Sequence, residues 1–313
     1  MQTEIIWNLH DHCESQCTYC PTRFWGGDTP NHISRYLEVT QKLISHYSNL
    51  GRKISWGFNG GEPLDMFDFP MILKLCKEHE GTITLHSNGG KLWLDWWAIE
   101  PHIDNLNLTY HYWQNPKLIR FILDTFKNKN KKVNINVPIR PDYLEEDMQR
   151  ALDIELEYNI SVGKLILYNG ADKSAGMFPY TNKQLAIISG INFFEPTVKI
   201  DEPEEEDTEI EEIAVINNVP LVKEKTHFEN TTFKVRFEEK MAANLGYAGM
   251  LCNAGIDYLN ISHNGWATGS NCNNRPLGNI WDDNFLLPSD AHTCTMMHCI
   301  SPRDQQITKF KST

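Results

Sequence analysis

No apolar run in the 313 residues is long enough to cross a bilayer, so this sequence contains no helical membrane anchor. Positive charge is scarce: 29 lysines and arginines face 41 aspartates and glutamates, for a formal net charge of -12. Nucleic-acid affinity rests largely on lysine and arginine displacing counterions, so a nucleic-acid partner is not expected. The opening residues lack the basic segment and long apolar core of a secretory signal, and a soluble cytoplasmic protein with no membrane partner is expected. There is no internal repeat beyond a β/α alternation. Asn-x-Ser/Thr matches at Asn107, Asn230 and Asn260 carry no meaning in that compartment.

Disulfides are disfavoured where glutathione and thioredoxin keep thiols reduced, so the eight cysteines read as metal ligands or reactive thiols. They fall at the two ends: Cys13, Cys17 and Cys20, then Cys252, Cys272, Cys294 and Cys299. The eighth, Cys76, lies within Ile72 to Cys76 on an expected outer helix and reads as a small buried hydrophobe.

From residue 4 to about 190, β-rich runs alternate with segments of helical period, the pattern of a parallel sheet built from β/α units. The expected strands are Glu4 to Leu9, Lys53 to Phe58, Thr82 to His86, Asn105 to Tyr110, Lys132 to Pro138 and Gly163 to Tyr168. Helices are expected near 33–50, 68–79, 91–100, 116–128, 142–158 and 181–189. In the first, Ile33, Tyr36, Leu37, Ile44, Tyr47 and Leu50 make one apolar face. In the third, Trp93, Trp96 and Trp97 are expected to pack the helix on the sheet.

The fold class expected is α/β: a partial (β/α)6 TIM-like barrel over residues 1–190, with functional loops at the C-terminal ends of its strands. Residues 191–240 contain a dense acidic run from Asp201 to Glu212 and read as a solvated linker or insertion. Residues 241–313 read as a small C-terminal domain organised around a metal site. There a strand over Asp257 to Ser262 meets Asn264-Gly265, a strong hairpin signal.

Cys13, Cys17 and Cys20 follow the first strand with spacing C-x3-C-x2-C. Three thiolates leave one iron of a [4Fe–4S] cubane open, as a catalytic zinc keeps an open position. A structural zinc site is the alternative, with His10 or His12 as fourth ligand. Four cysteines at the other end serve a saturated [4Fe–4S] cluster or a zinc ion equally well, and spacing does not choose between them.

The triplet C-x3-C-x-aromatic-C, with Tyr19 as the aromatic, resembles the signature of radical S-adenosylmethionine (SAM) enzymes. The resemblance extends to Gly60-Gly61-Glu62-Pro63 after the second strand and to Ser87-Asn88 after the third. It implies that these residues, with Tyr19 and with Thr109 after the fourth strand, contact SAM. His111 departs from the aspartate of the family's pattern. Arg140 at the end of strand five could pair with the SAM carboxylate or form a surface salt bridge. Tyr168-Asn169 close strand six on the same face, without an assigned role.

Cys252-Asn253-Ala254-Gly255, the Ser262 to Gly265 turn, Cys272 and Leu277-Gly278-Asn279-Ile280 resemble the auxiliary SPASM and twitch domains. With only four cysteines the likeness is to the twitch type, which implies one auxiliary [4Fe–4S] cluster on Cys252, Cys272, Cys294 and Cys299; His292 or His298 could replace one of them. The family implies reductive cleavage of SAM to a 5′-deoxyadenosyl radical, hydrogen abstraction from substrate, and a low-potential electron donor such as flavodoxin or ferredoxin. A peptide or protein side chain is the leading substrate. Small-molecule dehydrogenation or bond formation is the alternative, and a non-catalytic zinc or iron–sulfur module is the reading from another class.

Overall fold

The computed structural model describes residues 1–15, 17–20, 32–90, 93–168, 177–190, 246–272, 275–296, 299 and 301–311. The acidic run from residue 201, Asn169, His298 and the side chain of Trp93 lie outside them. Met1–Ile191 and Tyr247–Thr313 together make one compact unit.

Six strands pair in parallel in chain order: β1 (Gln2–Asn8), β2 (Lys53–Asn59), β3 (Thr82–Ser87), β4 (Asn105–Thr109), β5 (Lys132–Ile139) and β6 (Val162–Ile166). Helices α1 (Ile33–Asn49), α2 (Phe69–Glu78), α3 (Trp93–Ile99), α4 (Pro116–Lys127) and α5 (Leu144–Tyr158) connect them, and α6 (Asn182–Ile188) follows β6. This is the architecture expected of a partial barrel. Helix starts follow local chemistry: Asn115 accepts from the Lys117 amide ahead of Pro116, and Thr181 and Gln184 form a capping box. Asn159 ends α5 in the left-handed region, at φ 50°.

The apolar stripe of α1 is buried at Tyr36, Val39, Leu43, Ile44 and Tyr47. Its hydroxyls also tie distant segments together. Tyr36 Oη donates to the Leu9 carbonyl and Tyr47 Oη to the Gly255 carbonyl, each at 2.7 Å. Cys76 is fully buried on α2, as expected, and desolvation pushes its thiol up. The tryptophans of α3 divide: Trp96 is fully buried, but Trp97 is 58% exposed with its ring edge-on to Phe121. The expectation that Trp97 packs on the sheet is therefore corrected. Trp96 and Trp97 are adjacent, about 100° apart on the helix, and the apolar face takes only one of them.

The C-terminal segment does more than fold around its cysteines. Its hairpin, β8 (Tyr258–Ile261) and β9 (Trp266–Thr268), turns at Asn264-Gly265 as expected, and β8 pairs in parallel with β1 on the side opposite β2. With β10 (Pro276–Asn279) the sheet reaches nine strands in the order β10-β9-β8-β1-β2-β3-β4-β5-β6. Arg52 Nη2, nearly buried, reaches Asp257 Oδ1 at 2.6 Å across this junction. A second, three-stranded sheet joins β7 (Leu251–Cys252) to β11 (His292–Thr293) and β12 (Lys309–Phe310). Among the described residues no helix is long and apolar enough to cross a membrane.

Candidate functional site

The loops after β1, β2, β3 and β4 meet at one end of the sheet. The Cys13 loop is held against the β2 loop by backbone contacts, Gly61 N donating to the His10 carbonyl at 2.7 Å and Glu62 N to the His12 carbonyl at 2.9 Å, and by Glu14 N donating to Asp65 Oδ2 at 3.0 Å. That approach needs residues without side chains. A methyl group on Gly61 would sit 1.8 Å from the His12 oxygen, and one on Gly60, at φ +141°, would sit 2.4 Å from the His10 oxygen.

Behind this contact, the Glu62 carboxylate is 2% exposed. Oε1 accepts from Leu64 N and Ser87 Oγ, and Oε2 from Asn88 N at 2.7 Å, so it joins the β2 loop to the β3 loop. Asn88 then reaches back: its Nδ2 donates to Ser15 Oγ at 3.0 Å and lies 3.7 Å from Cys13 Sγ. Pro63 begins a short 3-10 turn behind the pair of glycines. Thus Gly60, Gly61, Glu62, Ser87 and Asn88 support the cysteine loop as well as lining the cleft.

Burial pushes the Glu62 carboxyl up to about 7, against its three hydrogen-bond donors. A raised carboxylate pKa means that the folded state prefers the protonated form. This contribution to stability is complete below about pH 4.5 and is lost as the pH rises through about 7. Its size is about 3 kcal/mol by the linkage relation. Urea denaturation of the wild type at pH 5 and pH 8 should therefore show a fall in stability, and the fall should be smaller in Glu62→Gln, whose side chain does not titrate.

A cleft of about 570 Å3 opens over these loops. Its wall includes Cys13, Cys17, Cys20, Tyr19, Gly60, Gly61, Glu62, Ser87, Asn88 and Thr109, so ten of the residues singled out in the sequence face one space. Tyr19 Oη hydrogen-bonds His111 Nδ1, and their rings stack at 5.8 Å and 15°; Trp113 also stacks on His111, at 5.4 Å and 10°. Cys17 Sγ lies 4.0 Å from the same nitrogen. Within the Cys17–Cys20 pair, a hydrogen bond from Cys20 and the contact with His111 lower the Cys17 pKa, while Cys20 is pushed up by Cys17 and by burial.

Arg140 is absent from this wall. Its Nε and Nη2 bind the Asp147 carboxylate at 2.9 and 2.8 Å, with the guanidinium 3.9 Å over the Tyr112 ring and 4.1 Å over Tyr143. Of the two roles open to it, the structure shows the salt bridge, made through the Nε and Nη2 edge of the guanidinium. His86, Asn59, Pro138 and the apolar strip Leu165, Ile166 and Leu167, which no motif marks with a role, also line the cleft beside Tyr168. Their signal was position, because each lies at the C-terminal end of a strand.

At the other end, Cys252 and Cys294 share a small buried cluster with Ile6 and Tyr258. Cys252 and His292 pair across β7 and β11, and His292 Nδ1 lies 3.1 Å from the Cys252 carbonyl. Burial pushes the Cys252 thiol up, Lys309 draws it down, and Cys294 and Cys272 push it up further. Cys299 is likewise raised by burial, lowered by Lys309 and raised by Cys272. Among the described residues no group of three or more His, Cys, Asp and Glu is spaced to hold a single metal ion. At the N-terminal site the donor set fits a cluster: three thiols on one loop, none paired in a disulfide, facing a space with a glycine-lined wall.

No protein-family model matches the sequence, and no curated protein matches it either. Solved structures do. SuiB of Streptococcus suis is 15% identical over 91% of this chain, with a TM-score of 0.49. This chain covers 64% of SuiB, less than two thirds of its length. The anSMEcpe structure with bound AdoMet and Cp18Cys peptide is 14% identical over 90% of this chain and 78% of its own, with a TM-score of 0.49. BtrN in complex with AdoMet and 2-DOIA is 14% identical over 91% of this chain and 83% of its own, with a TM-score of 0.42. In the arrangement of its strands and helices, the chain is similar to SuiB, anSMEcpe and BtrN.

Proposed function

We propose that the protein is a radical SAM enzyme whose reaction takes place in the cleft at the C-terminal ends of β1 to β6. The observation that carries this reading is that Cys13, Cys17, Cys20, Tyr19, the Gly60-Gly61 pair and Ser87-Asn88, separated by up to 75 residues, line one space. Cys13, Cys17 and Cys20 would hold a [4Fe–4S] cluster with one iron open to SAM, and with an electron from the donor these groups would supply reductive cleavage to a 5′-deoxyadenosyl radical that abstracts hydrogen from substrate.

The chain's own contribution is placement. Asn88 steadies Cys13 and Ser15, the glycines keep the first loop pressed on the second, and Tyr19 with His111 offers a flat wall for an adenine ring. Pro138 and Leu165 to Leu167 give the opposite side an apolar lining that excludes water from a reactive centre. The C-terminal quartet Cys252, Cys272, Cys294 and Cys299 is proposed as the seat of an auxiliary [4Fe–4S] cluster, and flavodoxin or ferredoxin as the electron donor. A peptide or protein side chain is the leading substrate class, with a small molecule as the alternative.

The test is anaerobic reconstitution, with iron and sulfide counted, followed by an assay for 5′-deoxyadenosine under strong reduction. The expected result is iron and sulfide in equal amounts and SAM cleaved. Protein that takes up zinc but no iron would identify a non-catalytic module instead.

A further inference from the structure

Parallel strands covered on both faces read as nearly continuous apolar runs. In β3, β4 and β5 only one face does so, where Ile83, Leu85, Leu106, Leu108, Ile135 and Val137 are buried. The opposite, concave face carries Thr84, His86, Asn105, Asn107, Asn134 and Asn136 at the alternating positions. These side chains are neighbours in the sheet register, with Asn107 facing His86 on one side and Asn134 on the other.

They form a ladder. Asn134 Nδ2 donates to Asn107 Oδ1 at 2.8 Å, and Asn107 Nδ2 lies 3.1 Å from His86 Nε2. In the row below, Asn105 Nδ2 donates to Thr84 Oγ1 at 3.2 Å. With Asn107 as donor, His86 Nε2 accepts and the imidazole proton sits on Nδ1. The row therefore ends in a donor at His86 and in an acceptor, Asn134 Oδ1, two strand spacings or roughly 10 Å away. His86 is solvent-accessible, yet desolvation, helped by Arg303, lowers its pKa. A side chain hemmed in but not covered stands in a concavity.

This concavity continues the cleft, because His86 and Thr109 line both. A purely apolar ligand would strip water from the ladder and return no hydrogen bonds. A charged ligand would meet no ionised side chain in the row of His86, Asn107 and Asn134. Lys132 stands beside Asn105 in the next row, and Arg303, which acts on His86, is paired with Glu4 at 3.0 Å.

We propose that His86, Asn107 and Asn134 are the specificity-determining surface for the substrate and bind an uncharged part of it that carries several hydrogen-bonding groups, amides or hydroxyls. This rests on the reading of the cleft as the reaction site. Amides in series are offered by a peptide main chain and hydroxyls by a polyol, and the test separates them.

Saturation-transfer NMR on the anaerobically reconstituted protein would use four probes: N-acetylglycine N-methylamide, myo-inositol, glutarate and 1,4-diaminobutane. Binding of either neutral probe is expected, with the amide probe pointing to a peptide source and the inositol to a polyol. Asn107→Leu should weaken that binding by about tenfold, the worth of one or two hydrogen bonds. Should Asn107→Leu fail to fold, Asn134→Ala, at the exposed end of the row, takes its place. Tighter binding of a charged probe than of both neutral ones, absence of neutral binding, or neutral binding that survives both substitutions would overturn the proposal. The two readings fail separately: wild-type protein that binds a neutral probe through Asn107 but never cleaves SAM retains the ladder and loses the reaction.

Discussion

Replacing Cys17 with alanine is expected to lower 5′-deoxyadenosine formation by on the order of a thousandfold, equivalent to about 4 kcal/mol of barrier. Cys17 is the middle ligand of the proposed set. Two remaining thiols cannot hold a cubane and leave one defined iron open. The C-terminal quartet is untouched by the substitution, so iron should fall without vanishing. Iron analysis and chromatographic measurement of 5′-deoxyadenosine on the same preparation check both statements. Unimpaired product formation by Cys17→Ala would falsify the assignment.

The second large effect is expected from Gly61→Ala. The added methyl would lie 1.8 Å from the His12 oxygen and 2.5 Å from its carbonyl carbon, both backbone atoms with no rotamer to escape into. One of the two loops must move, at a cost of about 3 kcal/mol as an overpacked contact. The loop that moves carries Cys13 or Glu62, so loss of iron uptake should accompany loss of stability. Gly51→Ala is the control. It carries a backbone demand that Gly61 lacks, at φ +66°, but has open space around the added methyl, and should cost about 1 kcal/mol with iron uptake intact. Urea denaturation and iron counting on the two variants separate crowding at the site from backbone strain elsewhere.

Much of this was legible in the sequence because it was local. All six strands lie within two residues of their expected ends, since each carries an apolar face toward the helices and is bounded by turn residues. The site followed from the fold: successive β/α units deliver the ends of β1, β2, β3 and β4 to one rim, and Cys13, Gly61, Asn88 and Thr109 stand at those ends. Pairings between distant segments were not legible. That β8 lies beside β1, 253 residues apart at Thr3 and Ile256, follows from tertiary register and not from any local period. Arg140 is different, because its partner Asp147 stands seven residues on in the acidic first turn of α5, where an acid is favoured. The polar concave face was also written plainly, as asparagines at alternating positions in β4 and β5. Its meaning depends on whether other segments cover it, which one strand's composition does not tell.

The placement of β8 has a consequence for how the protein comes into being. Until the ribosome has released residues near Ile261, β1 has β2 along one edge and nothing along the other. For most of translation the nascent sheet therefore shows an unsatisfied row of amides and carbonyls, flanked by Ile5, Ile6 and Trp7. Such an edge recruits strands from other chains. Yield in a heterologous host should accordingly depend on slow growth and chaperone supply more than on the stability of the finished protein.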